Sequence, residues 1–511
     1  MKKIQLMYLL FFILTAYLVI NTGLFSDDFD AVTSSKITGL KNILIPVNSP
    51  YYADTPVMYY SHYLPYYFFS FDNAAAVNAV KIAYIILALY MIAQFLRIYM
   101  DESLAVLASF IFVFFPSHDS TVYMFMNQYL TLSFALYLYA FYLAHRDKLF
   151  FAFLSALAAS FISYGSTPIA VALFALFCLG KNFKKAAVII VPNIIYASYF
   201  IYLTAIRSAG HPRILEAVSV SGIIKQYALQ VLTFTDAALG PSMWLKVYYA
   251  FSQLSAQSVI LCLIISVVCY RVITRCNVVY NSRLGACLVM LTALSFLMYA
   301  FTGRYPQVCF GLGNRVTIFG SLLVTYLLIS IPLPKKLKAA VCIILIFAIF
   351  GISDHWKRWS LHQQKVILTM KDNDALREYK EDRTLYFSGN QYSKYGPVSN
   401  IEFLSEGWVP MCVYRLLFHR PIVTSALNKR FEYAGGHLTD RKYRIGEKVD
   451  AYINVYDSEK GRLFRLRAED INGYIWSLPE DRRHWTQIYD VKILKNLAVE
   501  LMPRLDYAKA D

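Results

Sequence analysis

Long apolar stretches recur along this chain, and they limit its possible folds more than any other feature. Eleven of them lie near residues 4–24, 74–99, 103–117, 122–144, 149–163, 166–180, 186–206, 250–270, 284–302, 316–332 and 339–354. A helix crosses a bilayer with about 20 apolar residues, and shorter helices must be buried in a bundle or begin at Pro or Ser near an interface. Hydrophobic residues make up 58% of the chain and charged residues 16%, against about 45–50% and about 25% in soluble domains. The sequence predicts an all-α polytopic membrane bundle of about 11 transmembrane helices.

The distribution of basic residues predicts the orientation of this bundle. The first apolar stretch follows Lys2 and Lys3 and is longer than the apolar region of a signal peptide, so we interpret it as a spanning helix with its lysines inside. The connections that are then cytoplasmic carry Arg97, Arg146, Lys148, Lys181, Lys184, Lys185, Arg271, Arg275, Arg283, Lys335, Lys336 and Lys338. The short opposite connections 117–120 and 163–166 lack Lys and Arg. The positive-inside rule therefore puts the N-terminus inside and the C-terminus outside.

The orientation depends on how the segment 149–180 is divided. Ser166, Thr167 and Pro168 are predicted to break it into two short helices. One long tilted helix is the alternative, and it would move the C-terminal tail into the cytoplasm.

The overall charge does not point to nucleic acid. The chain has 49 Lys+Arg and 33 Asp+Glu, a net charge of +16. The positive-inside distribution accounts for this excess, and no zinc-finger spacing, RNA-binding aromatic signature or basic arm is present in the sequence.

The composition changes after about residue 356, where Lys, Arg, Asp and Glu become frequent. We therefore predict a transmembrane domain over 1–355 and a small α+β extracytoplasmic domain over 356–511. Residues 457–461 are predicted to form a hairpin loop between strands at 451–456 and 462–466. Two other long segments, about 25–73 and 207–249, are expected outside the membrane.

Three acids open the first outer loop, directly after the first helix. Asp27, Asp28 and Asp30 lie within four residues of one another. Clustered carboxylates repel, so one of them could serve as a general base, and carboxylates can also hold a metal ion. Asp30 is the less favoured candidate because it is expected to face water. A solvated helix end is the alternative explanation. Tyrosines recur further along this loop, which predicts interfacial helices: Tyr51, Tyr52, Tyr59, Tyr60, Tyr63, Tyr66 and Tyr67.

The next outer turn supplies His118 and Asp119 as a candidate second acidic site. A simple polar turn is the alternative. Because this turn and the first outer loop are predicted on the same face, their acids could converge on one cavity.

Basic residues on the outer face are the exception to the charge pattern. Arg304 and Arg315 flank a glycine-rich loop, and Lys81 lies in the outer half of the second apolar stretch. Arginine matches a phosphate with its planar fork of donors. We therefore predict a phosphate site, with side chains that snorkel to lipid headgroups as the alternative.

This layout resembles the GT-C superfamily of integral-membrane glycosyltransferases, and it is most similar to bacterial serotype-modifying O-antigen glucosyltransferases. The residues that carry the resemblance are Asp27 and Asp28 after the first helix and His118 and Asp119 in the next outer loop, together with the soluble tail. The resemblance implies a hexose, expected to be glucose, carried on a polyprenyl phosphate and transferred to a glycan acceptor such as O-antigen or lipopolysaccharide. It also implies a bacterial inner membrane, contact with membrane lipids and a periplasmic active site. Some members need a divalent cation, Mg²⁺ or Mn²⁺, and others do not.

Two other functions remain open on the sequence. An O-antigen polymerase also handles lipid-linked saccharides with outer-face arginines, but it more typically has both termini in the cytoplasm. A lipid-linked saccharide flippase or transporter would have ionisable residues in the middle of several helices and symmetric halves.

Overall fold

The structure is a computed structural model that describes residues 2–38, 53–69, 74–206, 219–276, 280–302, 305–380 and 383–488. It is mostly helical, with a small β region near the C-terminus. In chain order the helices are α1 (Lys2–Val19), α2 (Asp27–Thr38), α3 (Pro56–Met58), α4 (Ala74–Leu96), α5 (Glu102–Val113), α6 (Ser120–Tyr123), α7 (Gln128–His145), α8 (Leu149–Ile162), α9 (Thr167–Leu179), α10 (Phe183–Ile206), α11 (Val220–Ala238), α12 (Pro241–Phe251), α13 (Ala256–Arg275), α14 (Ser282–Thr302), α15 (Ile318–Ser330), α16 (Lys335–Lys371), α17 (Asp374–Glu378), α18 (Trp408–Phe418) and α19 (Ile471–Ser477).

Each of the predicted apolar stretches coincides with a helix: α1, α4, α5, α7, α8, α9, α10, α13, α14, α15 and α16. The predicted break within 149–180 is confirmed, because a 3-10 turn over Tyr164–Ser166 separates α8 from α9. One long helix there is therefore wrong. Among the described residues, six helical segments are long and apolar enough to cross a membrane: Ala75–Leu96, Phe183–Ala205, Ala256–Arg275, Ser282–Thr302, Leu312–Ser330 and Lys335–Lys371.

The chain divides into two compact units. The first consists of Met1–Gly23, Gly39–Cys309 and Gly313–His355, and the second of Leu24–Thr38, Phe310–Leu312 and Trp356–Asp511. The second unit thus includes α2 and three residues of the 303–315 loop in addition to the C-terminal tail, which the composition alone does not indicate.

In the first unit, the basic connections that the sequence assigns to one side contact one another. Lys185 Nζ lies 2.8 Å from Asp147 Oδ1, which joins the turn before α8 to the start of α10. Cys276 Sγ lies 3.5 Å from Asp101 Oδ1, and Lys335 Nζ donates to Thr274 O at 3.0 Å. These contacts join the basic connections in two groups, one of 145–148 with 181–185 and one of 271–276 with Asp101 and Lys335.

The segment before α13, which the sequence predicts on the outer side, is helical where the structure describes it. Within 207–249, the described part forms α11 and most of α12. Trp244, Tyr248 and Phe251 are 45%, 70% and 41% exposed, whereas Ser242 and Lys246 on the same helix are buried. Helix α12 therefore exposes aromatic side chains, and its buried face carries Ser242 and Lys246 among the apolar Met243, Val247 and Ala250. Neither α11 nor α12 is a single long apolar run, so the sequence pattern does not indicate a membrane span at either helix.

The first outer loop has the helical character that the sequence predicts for part of its length. After α3, Tyr59–Tyr63 form a π-helical turn and Leu64–Tyr67 a 3-10 turn. Tyr60 is exposed, whereas Tyr66 is fully buried. Tyr51 and Tyr52 lie outside the described residues.

The second unit is built on three small sheets. The strands are β1 (Leu385–Ser388), β2 (Tyr392–Tyr395), β3 (Val398–Glu402), β4 (Thr424–Ala426), β5 (Phe431–Ala434), β6 (His437–Asp440), β7 (Ile445–Lys448), β8 (Tyr452–Asp457) and β9 (Arg462–Arg467). One sheet has the order β4-β1-β8-β9, the second pairs β2 with β3, and the third has the order β5-β6-β7. Strand β1 is parallel to both β4 and β8, and all other pairings are antiparallel.

The predicted hairpin in this unit is confirmed. Strands β8 and β9 pair in register from Tyr452 opposite Arg467 to Asp457 opposite Arg462. The apolar stretch that follows β9 is a helix, α19, whose Ile471 and Ile475 pack in the core of the unit. Helix α2 also belongs to this unit and packs against α18, where Thr33 Oγ1 donates to Cys412 O at 3.3 Å.

Helices α12 and α16 approach so closely at one point that only glycine fits. A Cβ atom on Gly351 would lie 2.0 Å from Ala250 O. We expect Gly351→Ala to lower the free energy of unfolding by about 1–3 kcal/mol, because overpacking outweighs the better helix propensity of alanine. Thermal unfolding in detergent measures this loss. Gly473→Ala is the matched control, since the space around this helical glycine is open; equal melting temperatures for the two variants would contradict the prediction.

Candidate functional site

Five polar or charged residues of the first unit lie in the segment between α5 and α7 or hydrogen bond with it, and we call them the polar cluster: Lys81, Asp119, Lys246, Asn314 and Arg315. They come from α4, from the turn between α5 and α6, from α12 and from the segment before α15. Sequence reasoning singled out three of them, Lys81, Asp119 and Arg315. Lys246 and Asn314 complete the set.

Lys81 is fully buried. Its ammonium donates hydrogen bonds to Thr22 Oγ1 at 2.8 Å, to Gly23 O at 2.9 Å and to Tyr123 O. A snorkelling lysine would hold its ammonium among headgroups and water, so that interpretation of Lys81 is wrong. The contacts instead tie the end of α1 to the second outer turn, within the first unit; the convergence of the acids of the first outer loop with Asp119 stays a prediction.

Asp119 forms a buried ion pair with Lys246. Lys246 Nζ lies 2.8 Å from Asp119 Oδ1, and the two side chains are 0% and 2% exposed, respectively. The same ammonium donates to Cys309 O at 2.7 Å. Sequence reasoning missed Lys246, although one signal was available: it is the only charged residue in the aromatic segment Pro241–Phe251.

Asn314 joins the ion pair to the loop before α15. Its Nδ2 donates to Asp119 Oδ1 and, at 3.1 Å, to Cys309 O, while its Oδ1 accepts the N–H of Ser120 at 3.3 Å. A further tie runs from Thr317 Oγ1 to Ser117 O at 2.6 Å. The amide of Asn314 and the hydroxyl of Thr317 thus hold the segment before α15 against the second outer turn.

Arg315 is the more exposed cation of the polar cluster. It lies in the 3-10 segment Leu312–Thr317 and is partly exposed, whereas Lys81 and Lys246 are buried. Arg315 Nη1 donates to Asn127 Oδ1 at 2.8 Å, which fixes one side of its guanidinium. Arg304 lies outside the described residues, and its role as a phosphate ligand stays a prediction, like that of Arg315.

His118 is buried in the turn beside Asp119. The centroid of its ring lies 5.5 Å from that of Phe112 and 6.2 Å from that of Phe115. Its Nδ1 hydrogen bonds with Thr121 Oγ1 at 3.0 Å, and its Nε2 has no hydrogen-bond partner among the residues that the structure describes. Burial lowers the pKa of His118 to about 3. The imidazole is therefore neutral at physiological pH.

The acids of the first outer loop occupy the first turn of α2, in the second unit. Asp27 is partly exposed, Asp28 is fully buried and Asp30 is exposed. Asp28 Oδ2 accepts the N–H of Phe25 at 2.9 Å, just before the helix. Carboxylates in a first helical turn are stabilised by the N–H groups at that end, so part of this acidic pattern has a structural explanation. The exposure of Asp30 agrees with its expected position facing water.

Within the described residues, no group of three or more His, Cys, Asp or Glu side chains is placed to hold a metal ion. No protein-family model matches the chain, and no curated protein matches it.

A second buried histidine, His62, resembles His118 in its environment. His62 stacks on Phe125 at 5.3 Å, contacts Tyr84 at 5.1 Å and hydrogen bonds through Nδ1 with Ser61 Oγ at 2.8 Å. Burial lowers the pKa of His62 to about 3 as well. Both imidazoles lie in connections between helices and are neutral in the folded protein.

These two histidines predict a loss of stability in mild acid. In the unfolded chain a histidine takes up a proton below about pH 6.5, whereas folded His62 and His118 do so only near pH 3. The unfolded state therefore binds more protons as the pH falls from about 6.5, which costs about 2 kcal/mol of stability per histidine at pH 5. Melting temperatures measured between pH 7.5 and 5 should fall, and His62→Phe should remove about half of this fall. An unchanged slope in that variant would contradict the prediction.

Proposed function

We propose that this chain is a membrane glycosyltransferase that moves a hexose, expected to be glucose, from a polyprenyl-phosphate carrier to an extracytoplasmic glycan such as O-antigen or lipopolysaccharide. The observation that supports this most is the polar cluster, in which Lys81 and the partly exposed Arg315 both hydrogen bond with the segment between α5 and α7, within a unit of apolar helices. A carrier lipid presents its phosphate at the polar boundary of a bilayer, beyond the apolar core. A site of this kind suits a substrate that is part lipid and part phosphorylated sugar.

The proposal includes a membrane topology of eleven crossings with the N-terminus in the cytoplasm and the tail in the periplasm of a bacterium. Contacts between the predicted cytoplasmic connections support it. The connection 145–148 contacts 181–185, and 271–276 contacts Asp101 and Lys335. Four of the eleven helices, α5, α8, α9 and α15, have 12, 14, 13 and 13 residues, fewer than the about 17–25 of a usual span, and we attribute this to their packing within the bundle.

The reaction is a single displacement. The oxygen of an acceptor hydroxyl forms a bond to the anomeric carbon and loses its proton to a carboxylate, while the bond from that carbon to the carrier phosphate breaks and the phosphate leaves with the electron pair. We assign the proton to Asp27 or Asp28, which follow Gly23 closely along the chain. Asp27 is the more exposed of the two, and Asp28 also fixes the start of α2 through the N–H of Phe25.

Arg315 neutralises the charge that grows on the departing phosphate. A guanidinium offers two parallel N–H donors to a phosphate, and partial exposure leaves Arg315 accessible to a ligand. Arg304 has the same proposed role on the other side of the loop. Lys81 is the third residue that we propose as a ligand of the phosphate, although its ammonium already donates to three protein oxygens.

Asp27→Asn should abolish transfer while the protein still inserts into the membrane, because an amide cannot accept the proton of the acceptor hydroxyl. Asp28→Asn should also abolish transfer and should in addition lower thermal stability, since it weakens the contact that starts α2. Mass spectrometry of surface polysaccharide from cells with and without each variant measures transfer as a gain of one hexose per acceptor unit.

A near-normal gain in the Asp27→Asn/Asp28→Asn double variant would contradict the assignment of the base. If the wild-type protein added no hexose but changed the length of the polysaccharide, the function would be that of an O-antigen polymerase and not of a glycosyltransferase.

Arg315→Lys should lower the transfer rate at least about tenfold, which is about 1.4 kcal/mol of transition-state stabilisation. An ammonium keeps the charge but cannot reproduce the fork of the guanidinium. The loss should appear in kcat as much as in the donor KM, because the phosphate gains charge as the bond breaks. Arg97→Lys, at an ion pair of 3.2 Å with Glu102, is the matched control and should keep the wild-type rate. If the wild-type protein, Arg315→Lys and Arg97→Lys all transferred sugar at the same rate, Arg315 would be a membrane anchor and not a phosphate ligand.

A further inference from the structure

We infer that Lys246 and Asn314 are positioning residues, and that with Asp119 they form a buried clamp that holds the segment carrying Arg315 in place. The inference gives Asp119 a positioning role instead of a role as a second acid in the chemistry. It rests on the proposed function only for what Arg315 does with its ligand; the clamp itself is argued from contacts within the first unit.

The first argument is the environment of the charges. The side chains of Lys246 and Asp119 are 0% and 2% exposed, and their charged atoms lie 2.8 Å apart. A buried ion is stable only when it is paired and hydrogen bonded, so each of these two side chains requires the other. The carbonyl of Cys309 gives the ammonium a second acceptor at 2.7 Å.

The second argument is the origin of the lysine. Helix α12 turns its aromatic side chains outward and Lys246 inward, opposite to the usual placement of a charge on a helix. Its start is fixed by Asp236, whose carboxylate accepts the N–H of Ser242 at 3.2 Å and its Oγ–H at 2.5 Å. Its end is in close contact with α16 at Gly351. Lys246 therefore extends from a helix whose start and end are both fixed by contacts.

The third argument is the link from the ion pair to Arg315. One oxygen, Asp119 Oδ1, accepts hydrogen bonds from both Lys246 and Asn314. Asn314 and Lys246 also share the carbonyl of Cys309 as acceptor. Because Asn314 is bonded directly to Arg315, a fixed Asn314 fixes the backbone from which the guanidinium extends.

The same contacts argue against a proton-transfer role for Asp119. A base must reach the hydroxyl that it deprotonates, to within a hydrogen bond or one water molecule. Asp119 is almost fully buried, and its Oδ1 is occupied by an ammonium and an amide. A carboxylate with these neighbours orients other groups and is shielded from an acceptor glycan.

Paired charge removal tests the clamp. Asp119→Asn and Lys246→Met each leave one buried charge without its partner, so each should lower the melting temperature by about 5 °C or more. The double variant Asp119→Asn/Lys246→Met removes both charges, and its asparagine can still accept from Asn314. We expect it to regain most of the melting temperature and to transfer sugar within about fivefold of the wild-type rate.

The ion pair between Asp147 and Lys185, also 2.8 Å long but with an exposed carboxylate, provides the control. Asp147→Asn, Lys185→Met and their double variant should leave both the melting temperature and the transfer rate close to those of the wild-type protein. A double variant of Asp119 and Lys246 that is stable yet transfers no sugar would overturn the inference, since one of the two residues would then take part in the chemistry.

A double-mutant cycle separates positioning of Arg315 from a general structural effect. Asn314→Leu, Arg315→Lys and the combination are compared by the binding of a short-chain polyprenyl phosphate to the purified full-length protein in detergent. If Asn314 acts through Arg315, the combination should bind no more weakly than Arg315→Lys alone, whereas additive losses would overturn the inference. This assay needs no sugar transfer. Binding that shows the expected coupling, in a protein that transfers no sugar, would reject the proposed function and keep the clamp.

Discussion

The ion pair between Asp119 and Lys246 is the interaction on which the polar end of the first unit depends. Its two charges lie 2.8 Å apart and almost entirely out of solvent. A pair of this kind contributes little net stability compared with apolar side chains of the same size, but loss of one partner is costly. The ion pair therefore acts mainly by fixing the relative positions of α12, the second outer turn and the segment before α15. Asn314 extends this arrangement by one residue to Arg315.

The elements that follow from local sequence pattern were predictable. Apolar runs with polar ends place α8 and α9 and the turn between them, because a helix in lipid must satisfy its backbone internally and ends where Ser and Pro interrupt the run. The hairpin of β8 and β9 follows from alternating residues around a short polar loop. Helices α11 and α12 were not predicted as membrane helices, since polar residues interrupt the apolar run of α11 and α12 has only 11 residues.

The candidate site was predictable in part, for a related reason. Asp119 stands out in the sequence because it lies in a short polar turn between two apolar runs, but its partner is 127 residues away and belongs to a helix without other charges. No local pattern connects the two. The acids of α2 show the opposite case: their clustering is conspicuous in the sequence, and the contact of Asp28 with the N–H of Phe25 gives one of them a role in starting the helix.

Burial also explains how cations can belong to segments that the positive-inside rule predicts on the side poor in basic residues. The rule concerns charges that stay with water and headgroups while a loop is held back from crossing the membrane. Lys81 and Lys246 are instead enclosed by protein oxygens, three around the first and two described for the second. Their charges are balanced within the fold, so they do not act as loop charges. A basic residue that breaks the charge pattern is for this reason a better indicator of an internal polar site than of orientation, and the 303–315 loop, with Arg315 next to Asn314, lies where such a site is found.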